Sequence, residues 1–237
     1  MIMCKWEELP DRMRTEEVKP YYDLLTKRTG SLILKRVFDI VFSAMLLMLI
    51  WPLFIVIAVA IKLDSKGPVF YRQTRITQYG KAFKIFKFRT MVTGADKIGT
   101  LVTVDNDSRI TKVGAFLRRT KLDELGQLLD VFRGTMSFIG TRPEVPKYVE
   151  KYTPEMMATL LLPAGVTSLT SIFYSGEAGM LDNSVDPDVT YVNEILPDKM
   201  RWNLKGIRDF SFFGDIKIIL MTILVVFGIK YEAGDIK

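Results

Sequence analysis

Residues 40–61 read IVFSAMLLMLIWPLFIVIAVAI, a run of 22 residues that contains no charged side chain and in which only Ser43 is polar. About 20 apolar residues are enough for a helix to cross the hydrocarbon core of a bilayer. Pro52 lies near the middle of the run, where proline removes a helical hydrogen bond and favours a kink or a break. The run therefore predicts a membrane segment whose course changes at Pro52.

Basic residues flank this run on both sides, with Lys35 and Arg36 before it and Lys62 and Lys66 after it. A helix that spans a bilayer usually carries its positive excess on one side only, and no second apolar run of this length follows. A helix that enters the membrane, breaks at Pro52 and leaves on the same face accounts for both observations. A straight but kinked transmembrane helix and a buried core helix are the alternatives.

The composition restricts the chemistry that the chain can perform. Its 237 residues include no histidine and one cysteine, Cys4. Without histidine, serine–histidine and cysteine–histidine triads are excluded, and a lone cysteine forms neither an intrachain disulfide nor a thiolate zinc cluster. Any catalysis therefore depends on carboxylates, lysines, arginines, hydroxyls or a hard metal ion held by oxygen.

Positive charge is concentrated directly after the membrane run. Residues 62–133 contain 15 Lys or Arg against 7 Asp or Glu, whereas the whole chain has a formal net charge of +6. Such a field favours phosphate-bearing ligands, and it equally favours anionic lipid headgroups. We expect no nucleic-acid partner for a chain embedded in a membrane.

Two β-prone segments follow, residues 69–71 and 83–88, with Gly80 in the turn between them. The second alternates apolar and basic residues with a period of two, so the pair predicts a hairpin. We interpret Lys84, Lys87 and Arg89 as one basic face of the second strand, suited to an anionic pocket. A solvated strand face is the alternative.

Residues 112–133 predict the helix that bears most directly on chemistry. Thr120 is a good N-cap residue, and Asp123 follows three residues later, as in a capping box. Asp123 and Glu124 then fall in the first turn, where the helix dipole favours negative charge. An ionised carboxylate can attack phosphorus, and two adjacent carboxylates can hold a magnesium ion that bridges a diphosphate. Simple capping is the alternative.

A second candidate for phosphate binding is Arg142, which lies between Gly140 and Pro143. The glycine and the proline make a rigid turn that can present the guanidinium to a phosphate. An ordinary loop arginine is the alternative.

Taken in order along the chain, these segments resemble the bacterial sugar transferase family, the monotopic phosphoglycosyl transferases. The matching stretches are KRVFD at 35–39, Pro52, SKGPVF at 65–70, QTR at 73–75, FKIFKFRTM at 83–91, DSRIT at 107–111, LDELGQ at 122–127, GTMS at 134–137 and GTRPE at 140–144. The resemblance implies an α+β fold: a mostly helical monotopic membrane protein with a proline-broken re-entrant helix and a small β-hairpin beside the catalytic helix.

The resemblance also implies a reaction. Asp123 would attack the β-phosphate of a UDP-sugar and release UMP, and the phosphosugar would then pass to undecaprenyl phosphate to initiate a surface glycan such as an exopolysaccharide, a capsule, an O-antigen or a glycoprotein. The family's acidic pair binds Mg²⁺, which implies Asp123 and Glu124 as metal ligands.

The same resemblance assigns four basic residues to the phosphates of the substrates. Arg142 matches the arginine of the family's Arg-Pro loop, and Arg118 matches the arginine five residues before the acidic pair. Lys87 and Arg89 lie in the family's Lys-Phe-Arg strand motif.

The predicted organisation has three parts: an N-terminal extension (1–34), a membrane helix–break–helix (35–66) and a cytoplasmic catalytic domain with interfacial helices (67–237). The charged start of the chain lacks the pattern of a cleavable signal peptide. We therefore expect the bulk of the chain to stay in the cytoplasm, and the resemblance implies a position at the cytoplasmic face of the bacterial inner membrane, in contact with its lipids.

Two residues depart from the family pattern. Gly126 and Thr141 each stand where the family frequently has proline. They leave the acidic pair intact, but they encourage the alternative of a non-catalytic membrane scaffold in a glycan assembly complex. The pattern specifies neither the sugar nor the glycan pathway nor the oligomeric state.

Overall fold

The protein is described from a computed structural model, which covers residues 3–95, 107–174, 187–229 and 231. The described chain is mostly helical and has two small two-stranded sheets, in agreement with the predicted α+β class. The α-helices are α1 (Lys19–Lys27), α2 (Thr29–Asp64), α3 (Lys112–Arg119), α4 (Gln127–Arg133), α5 (Pro146–Val149), α6 (Leu169–Phe173), α7 (Pro187–Thr190), α8 (Leu196–Arg208) and α9 (Phe212–Val226). The strands are β1 (Phe70–Ile76), β2 (Ala82–Phe88), β3 (Met136–Ile139) and β4 (Ala164–Thr167).

Shorter helical turns connect these elements. The 3₁₀ turns are Trp6–Glu8, Asp11–Met13, Gln78–Gly80, Leu122–Gly126 and Glu155–Leu161, and a π-helical turn, Tyr191–Ile195, joins α7 to α8.

The apolar run lies in α2, which continues without interruption from Thr29 to Asp64 and contains Pro52. No interruption of the helix is therefore seen at Pro52, and the re-entrant course of this segment stays a prediction. Proline removes one backbone donor, and the hydrogen bonds on either side can hold the helix together through that position. In the described part of the chain, α2 is the one helix that is long and apolar enough to cross a membrane.

Both ends of α2 contact the rest of the protein, whereas its middle is exposed. Near the N-terminal end, Lys35 Nζ lies 2.6 Å from a carboxylate oxygen of Asp215. At the C-terminal end, the Asp64 carboxylate accepts the N–H of Val113 at 2.9 Å. Met48 and Leu49, close to Pro52, are each 72% exposed. An exposed apolar stretch of this size marks a contact surface, as a membrane segment requires.

The N-terminal extension belongs to the main core. Met13, Val18 and Leu25 are completely buried, and they join the same apolar cluster as Leu161 and Met200. Moreover, α2 begins at Thr29, so one helix crosses the boundary predicted at residue 34. The described part of the extension therefore packs as an integral layer against the C-terminal half.

The predicted hairpin is confirmed. Strands β1 and β2 are antiparallel, with Phe70 opposite Phe88, and Tyr79 and Gly80 turn the chain with positive φ angles of 58° and 72°. Phe88 is buried in a cluster with Ile57 of α2 and with Leu117 of α3. The hairpin therefore attaches to the membrane helix through its second strand. The parallel pair of β3 and β4 was not predicted.

Candidate active site

The acidic pair lies in the 3₁₀ turn Leu122–Gly126, between α3 and α4. Thr120 is not the predicted N-cap: it ends α3, and its hydroxyl donates to a carbonyl of the preceding turn at 2.9 Å. Lys121 then adopts a left-handed conformation with φ 58° and redirects the chain. Asp123 and Glu124 still fall in the first turn of a helical segment, but that segment starts at Leu122 and is a 3₁₀ helix.

Strand β2 fixes this turn from one side through Asp130 of α4. The buried Asp130 carboxylate accepts the N–H of Phe86 at 2.8 Å, and the hydroxyl of Thr135 donates to the Asp130 carbonyl at 3.1 Å. Burial raises the pKa of the Asp130 carboxyl. This link holds α4 against β2, so that Lys87, the residue after Phe86, faces the acidic pair.

Two cations neutralise the acidic pair. Lys87 Nζ lies 2.9 Å from a carboxylate oxygen of Asp123 and 3.5 Å from one of Glu124. The Arg142 guanidinium donates to both carboxylate oxygens of Glu124. Residues far apart in sequence thus meet at one point, because the hairpin, the 3₁₀ turn and the Arg-Pro loop converge there.

The electrostatic environment keeps Glu124 ionised. Burial alone would raise the pKa of its carboxyl, but the opposing charges of Arg142 and Lys87, together with the hydrogen bond from Arg142, lower that pKa to about 2. A carboxylate with such a pKa is negative throughout the neutral range. It therefore acts as a fixed negative group and is unsuited to donate a proton.

A cavity of about 510 Å³ opens beside the pair. Glu124, Lys87, Arg118, Arg142 and Arg89 line it. Its other walls include apolar and aromatic side chains, namely Pro68, Phe70, Tyr71, Ile85, Phe88, Met91 and Val92. The mixture of cationic groups with an apolar wall suits a phosphate ester that carries an organic group.

Asp123 itself does not line this cavity. It is 3% exposed, and its carboxylate oxygen is covered by the ammonium group of Lys87. Glu124 is therefore the carboxylate that faces the cavity in this conformation, and access to Asp123 requires Lys87 to move.

The remaining predicted phosphate ligands differ in their surroundings. Arg118 is half-buried and lines the cavity. Arg89 is buried and donates to the carbonyl of Lys66 at 2.6 Å and to that of Ser65 at 2.8 Å. Its guanidinium thus ties β2 to the C-terminal end of α2, and its role as a phosphate ligand stays a prediction.

The prediction that Lys84 lies on the same face of β2 as Lys87 and Arg89 was wrong. That residue is exposed and is absent from the lining of the cavity, which Lys87 and Arg89 share. Because side chains alternate along a strand, an odd separation of three residues places Lys84 and Lys87 on opposite faces.

Sequence reasoning missed the buried polar network behind Arg142. The Tyr191 hydroxyl donates to a carboxylate oxygen of Glu144, and Lys199 Nζ lies 3.0 Å from that hydroxyl and 3.7 Å from the carboxylate. Arg75 donates to the carbonyl of Pro143 at 3.0 Å. Glu144 is the last residue of the GTRPE motif, and this position was the one sequence feature that pointed to the network. The partners of Glu144 lie about 50 residues away in sequence.

The donor set suits one kind of metal ion. Among the described residues no group of three or more His, Cys, Asp or Glu side chains converges, so an all-protein metal cage is not formed there. Mg²⁺ usually binds one or two carboxylates and completes its shell with phosphate oxygens and water. The two neighbouring carboxylates of Asp123 and Glu124 are oxygen donors of this kind, and they are paired with Lys87 and Arg142 in this conformation, so magnesium binding by the acidic pair stays a prediction.

The family model described as bacterial sugar transferase matches residues 30–229. The chain belongs to this family. The match covers the membrane helix, the hairpin, the acidic pair and the Arg-Pro loop, and therefore every element that borders the cavity.

Individual members of the family support the assignment. The "UDP-glucose:undecaprenyl-phosphate glucose-1-phosphate transferase" of Escherichia coli (strain K12) is 39% identical over 217 residues, which are 90% of this chain and 44% of that protein. "Galactosyl transferase CpsE" of Streptococcus agalactiae serotype III is 32% identical, over 86% of this chain and 44% of that protein. The "Exopolysaccharide production protein PSS" of Rhizobium leguminosarum bv. phaseoli is 36% identical, over 81% of this chain and 94% of that protein.

The chain spans less than half of the length of the Escherichia coli relative. The activity of that whole protein is therefore a proposal for this chain. The names of these two relatives also refer to different sugars, glucose for the Escherichia coli protein and galactose for the Streptococcus agalactiae protein.

Proposed function

We propose that this protein transfers a sugar-1-phosphate from a UDP-sugar to undecaprenyl phosphate with release of UMP. The observation that carries the proposal is the meeting of two carboxylates with Lys87, Arg118 and Arg142 beside one cavity. This cavity adjoins the hairpin strand that packs on the long apolar helix. A soluble anionic donor and a lipid-linked acceptor both need such a location.

The proposed reaction has two displacements at the same phosphorus. First, a carboxylate oxygen of Asp123 forms a bond to the β-phosphorus of the donor, and the bond from that phosphorus to the oxygen of UMP breaks. Second, a phosphate oxygen of the acceptor bonds to the phosphorus, and the bond to Asp123 breaks. The carboxylate is restored, and the products are UMP and a polyprenyl-diphosphate sugar, so charge and atoms balance.

The cations have distinct tasks in this scheme. Lys87 covers the nucleophile in the present conformation, and an incoming diphosphate offers its ammonium group an alternative anion. The guanidinium groups of Arg142 and Arg118 stabilise the negative charge that accumulates on the phosphate oxygens in the transition state. Glu124 holds Arg142 in place through its ion pair. Magnesium, held by the acidic pair, would supply additional neutralisation of the diphosphate.

The proposal also includes a topology, with both ends of α2 at the cytoplasmic face of the bacterial inner membrane. Support comes from the contacts that both ends make with the same body and from the exposed middle around Pro52. To test it, Cys4 is replaced by Ser and a single cysteine is introduced at Leu34 or at Lys66, which are both exposed. A membrane-impermeant maleimide added from the periplasmic side should label neither site in intact cells. Labelling of one site alone would indicate a straight span.

The activity is tested with purified protein, Mg²⁺, polyprenyl phosphate and a panel of UDP-sugars. One donor should give UMP and a lipid-linked sugar, and Asp123→Asn should reduce the rate at least about a thousandfold, as expected for loss of a covalent nucleophile. Omitting the acceptor should leave a phosphosugar adduct on Asp123 that mass spectrometry detects. Near-normal turnover by Asp123→Asn would refute the assignment of the nucleophile, and absence of UMP with every donor would favour the scaffold.

A further inference from the structure

The side chain of Gln127, the first residue of α4, has no role in the scheme above. It is 3% exposed and lines the cavity together with Glu124, Arg118 and Arg142. We propose that Gln127 is a further catalytic residue, whose side-chain amide donates a hydrogen bond to a non-bridging oxygen of the phosphoryl group in transfer. This inference rests on the proposed function.

The position of Gln127 relative to the acidic pair is fixed by the main chain. Its backbone N–H donates to the carbonyls of Glu124 and Leu125, so the 3₁₀ turn continues directly into α4. Gln127 follows Glu124 by three residues, which is one turn of a 3₁₀ helix, and both side chains line the cavity. Its amide is therefore held beside the carboxylate that faces the cavity.

The Gln127 side chain is almost fully enclosed by the protein and borders the cavity. An amide that is removed from water is stabilised by a hydrogen bond. A ligand bound in the cavity can supply that bond.

The phosphoryl oxygens are the groups that this amide fits best. Lys87, Arg118 and Arg142 also line the cavity, which favours an anionic ligand, and a neutral amide N–H adds a directed hydrogen bond without further charge. Glutamine side chains serve in this way at oxyanion sites, where removal of one such donor slows catalysis by about 10²–10³-fold.

The experiment uses the full chain in detergent or nanodiscs and measures the two displacements separately. The first is the burst of UMP without acceptor, and the second is transfer from the isolated phosphosugar-enzyme to polyprenyl phosphate. Gln127→Met keeps the shape and removes the amide, whereas Gln127→Glu keeps the acceptor and removes the N–H donors. Gln78→Met is the matched control, because its amide donates to the carbonyl of Leu161 outside the cavity lining.

Both Gln127 variants should slow both displacements by at least about tenfold, with little change in the KM for the donor, because the same phosphorus reacts in each step. Gln78→Met should retain both rates within twofold. Slowing of the first step alone, or a change confined to KM, would overturn the inference and place the amide on the sugar or nucleotide. Unchanged rates would also overturn it. Failure of the proposed function itself would appear differently, as no release of UMP by the parent protein with any donor of the panel.

Discussion

Gly126 packs directly against the main chain of Phe86: a Cβ atom placed on this glycine would lie 2.9 Å from the Phe86 carbonyl oxygen. This distance is shorter than the van der Waals separation of the two atoms. Strand β2 therefore lies closer to the turn that carries the acidic pair than a residue other than glycine at position 126 would allow. The departure from the family's usual proline at this position therefore has a packing consequence in this chain.

Gly126→Ala should lower the free energy of unfolding by about 1–3 kcal/mol, because an added methyl in a packed contact forces a backbone shift. Gly126→Pro should also destabilise: its φ of −57° suits proline, but proline carries the same Cβ atom. Chemical denaturation measures both. Gly206→Ala in α8 is the control, since nothing lies within 4 Å of its Cβ position, and it should stabilise by about 0.5–1 kcal/mol. Equal effects at the two glycines would contradict the close contact.

Lys87→Met should reduce transfer by at least about tenfold, because one of the cations near the reacting phosphate is lost. The buried Asp123 would also lose its ion pair at 2.9 Å, which should lower the free energy of unfolding by about 1–3 kcal/mol. Steady-state release of UMP and urea denaturation measure the two effects.

Lys84→Met is the matched control for this variant, on the same strand and with the same change of side chain. Because Lys84 is exposed and points away from the cavity, activity within twofold of the parent is expected. A comparable loss in both variants would mean that general positive charge, and not the position of Lys87, supports the reaction.

The Glu144 network predicts strong coupling between two distant segments. Lys199→Met removes a cation that lies 3.7 Å from the Glu144 carboxylate, which is 9% exposed, and breaking a buried pair costs about 3–5 kcal/mol. Adding Glu144→Gln removes the uncompensated charge, so the double variant should be more stable than Lys199→Met alone. Denaturation of both single variants and the double variant gives the coupling energy, and additive effects would show that the pair does not interact.

The hairpin and the placement of the acidic pair in a first helical turn could be predicted because both depend on local patterns. Alternation with a period of two identifies β2, and the sequence placed Asp123 and Glu124 together at the start of a helical segment, as the structure has them. Local patterns also indicated Lys87 and Arg142 as candidates for phosphate binding, whereas Arg118 came from the family motif.

Other features depend on contacts that local sequence does not encode. Threonine is a common N-cap residue, but its hydroxyl can also donate to the carbonyl four residues earlier in a helix. Thr120 makes this second kind of hydrogen bond. Pro52 suggested an interruption, yet a helix tolerates one missing donor. The network of Glu144 with Tyr191 and Lys199 joins segments about 50 residues apart, so no periodicity could indicate it.

The N-terminal extension contributes to the apolar core, although its charged sequence did not predict this. Met13 is completely buried in the cluster that also contains Leu161 and Met200. Met13→Ala should therefore lower the free energy of unfolding by about 2–5 kcal/mol, through lost burial and the cavity left behind. The neighbouring Arg12 is exposed, and Arg12→Ala should change stability by less than about 0.5 kcal/mol. If both variants unfolded like the parent protein, the extension would be dispensable for the core, and the acidic pair would be held by residues after Thr29 alone.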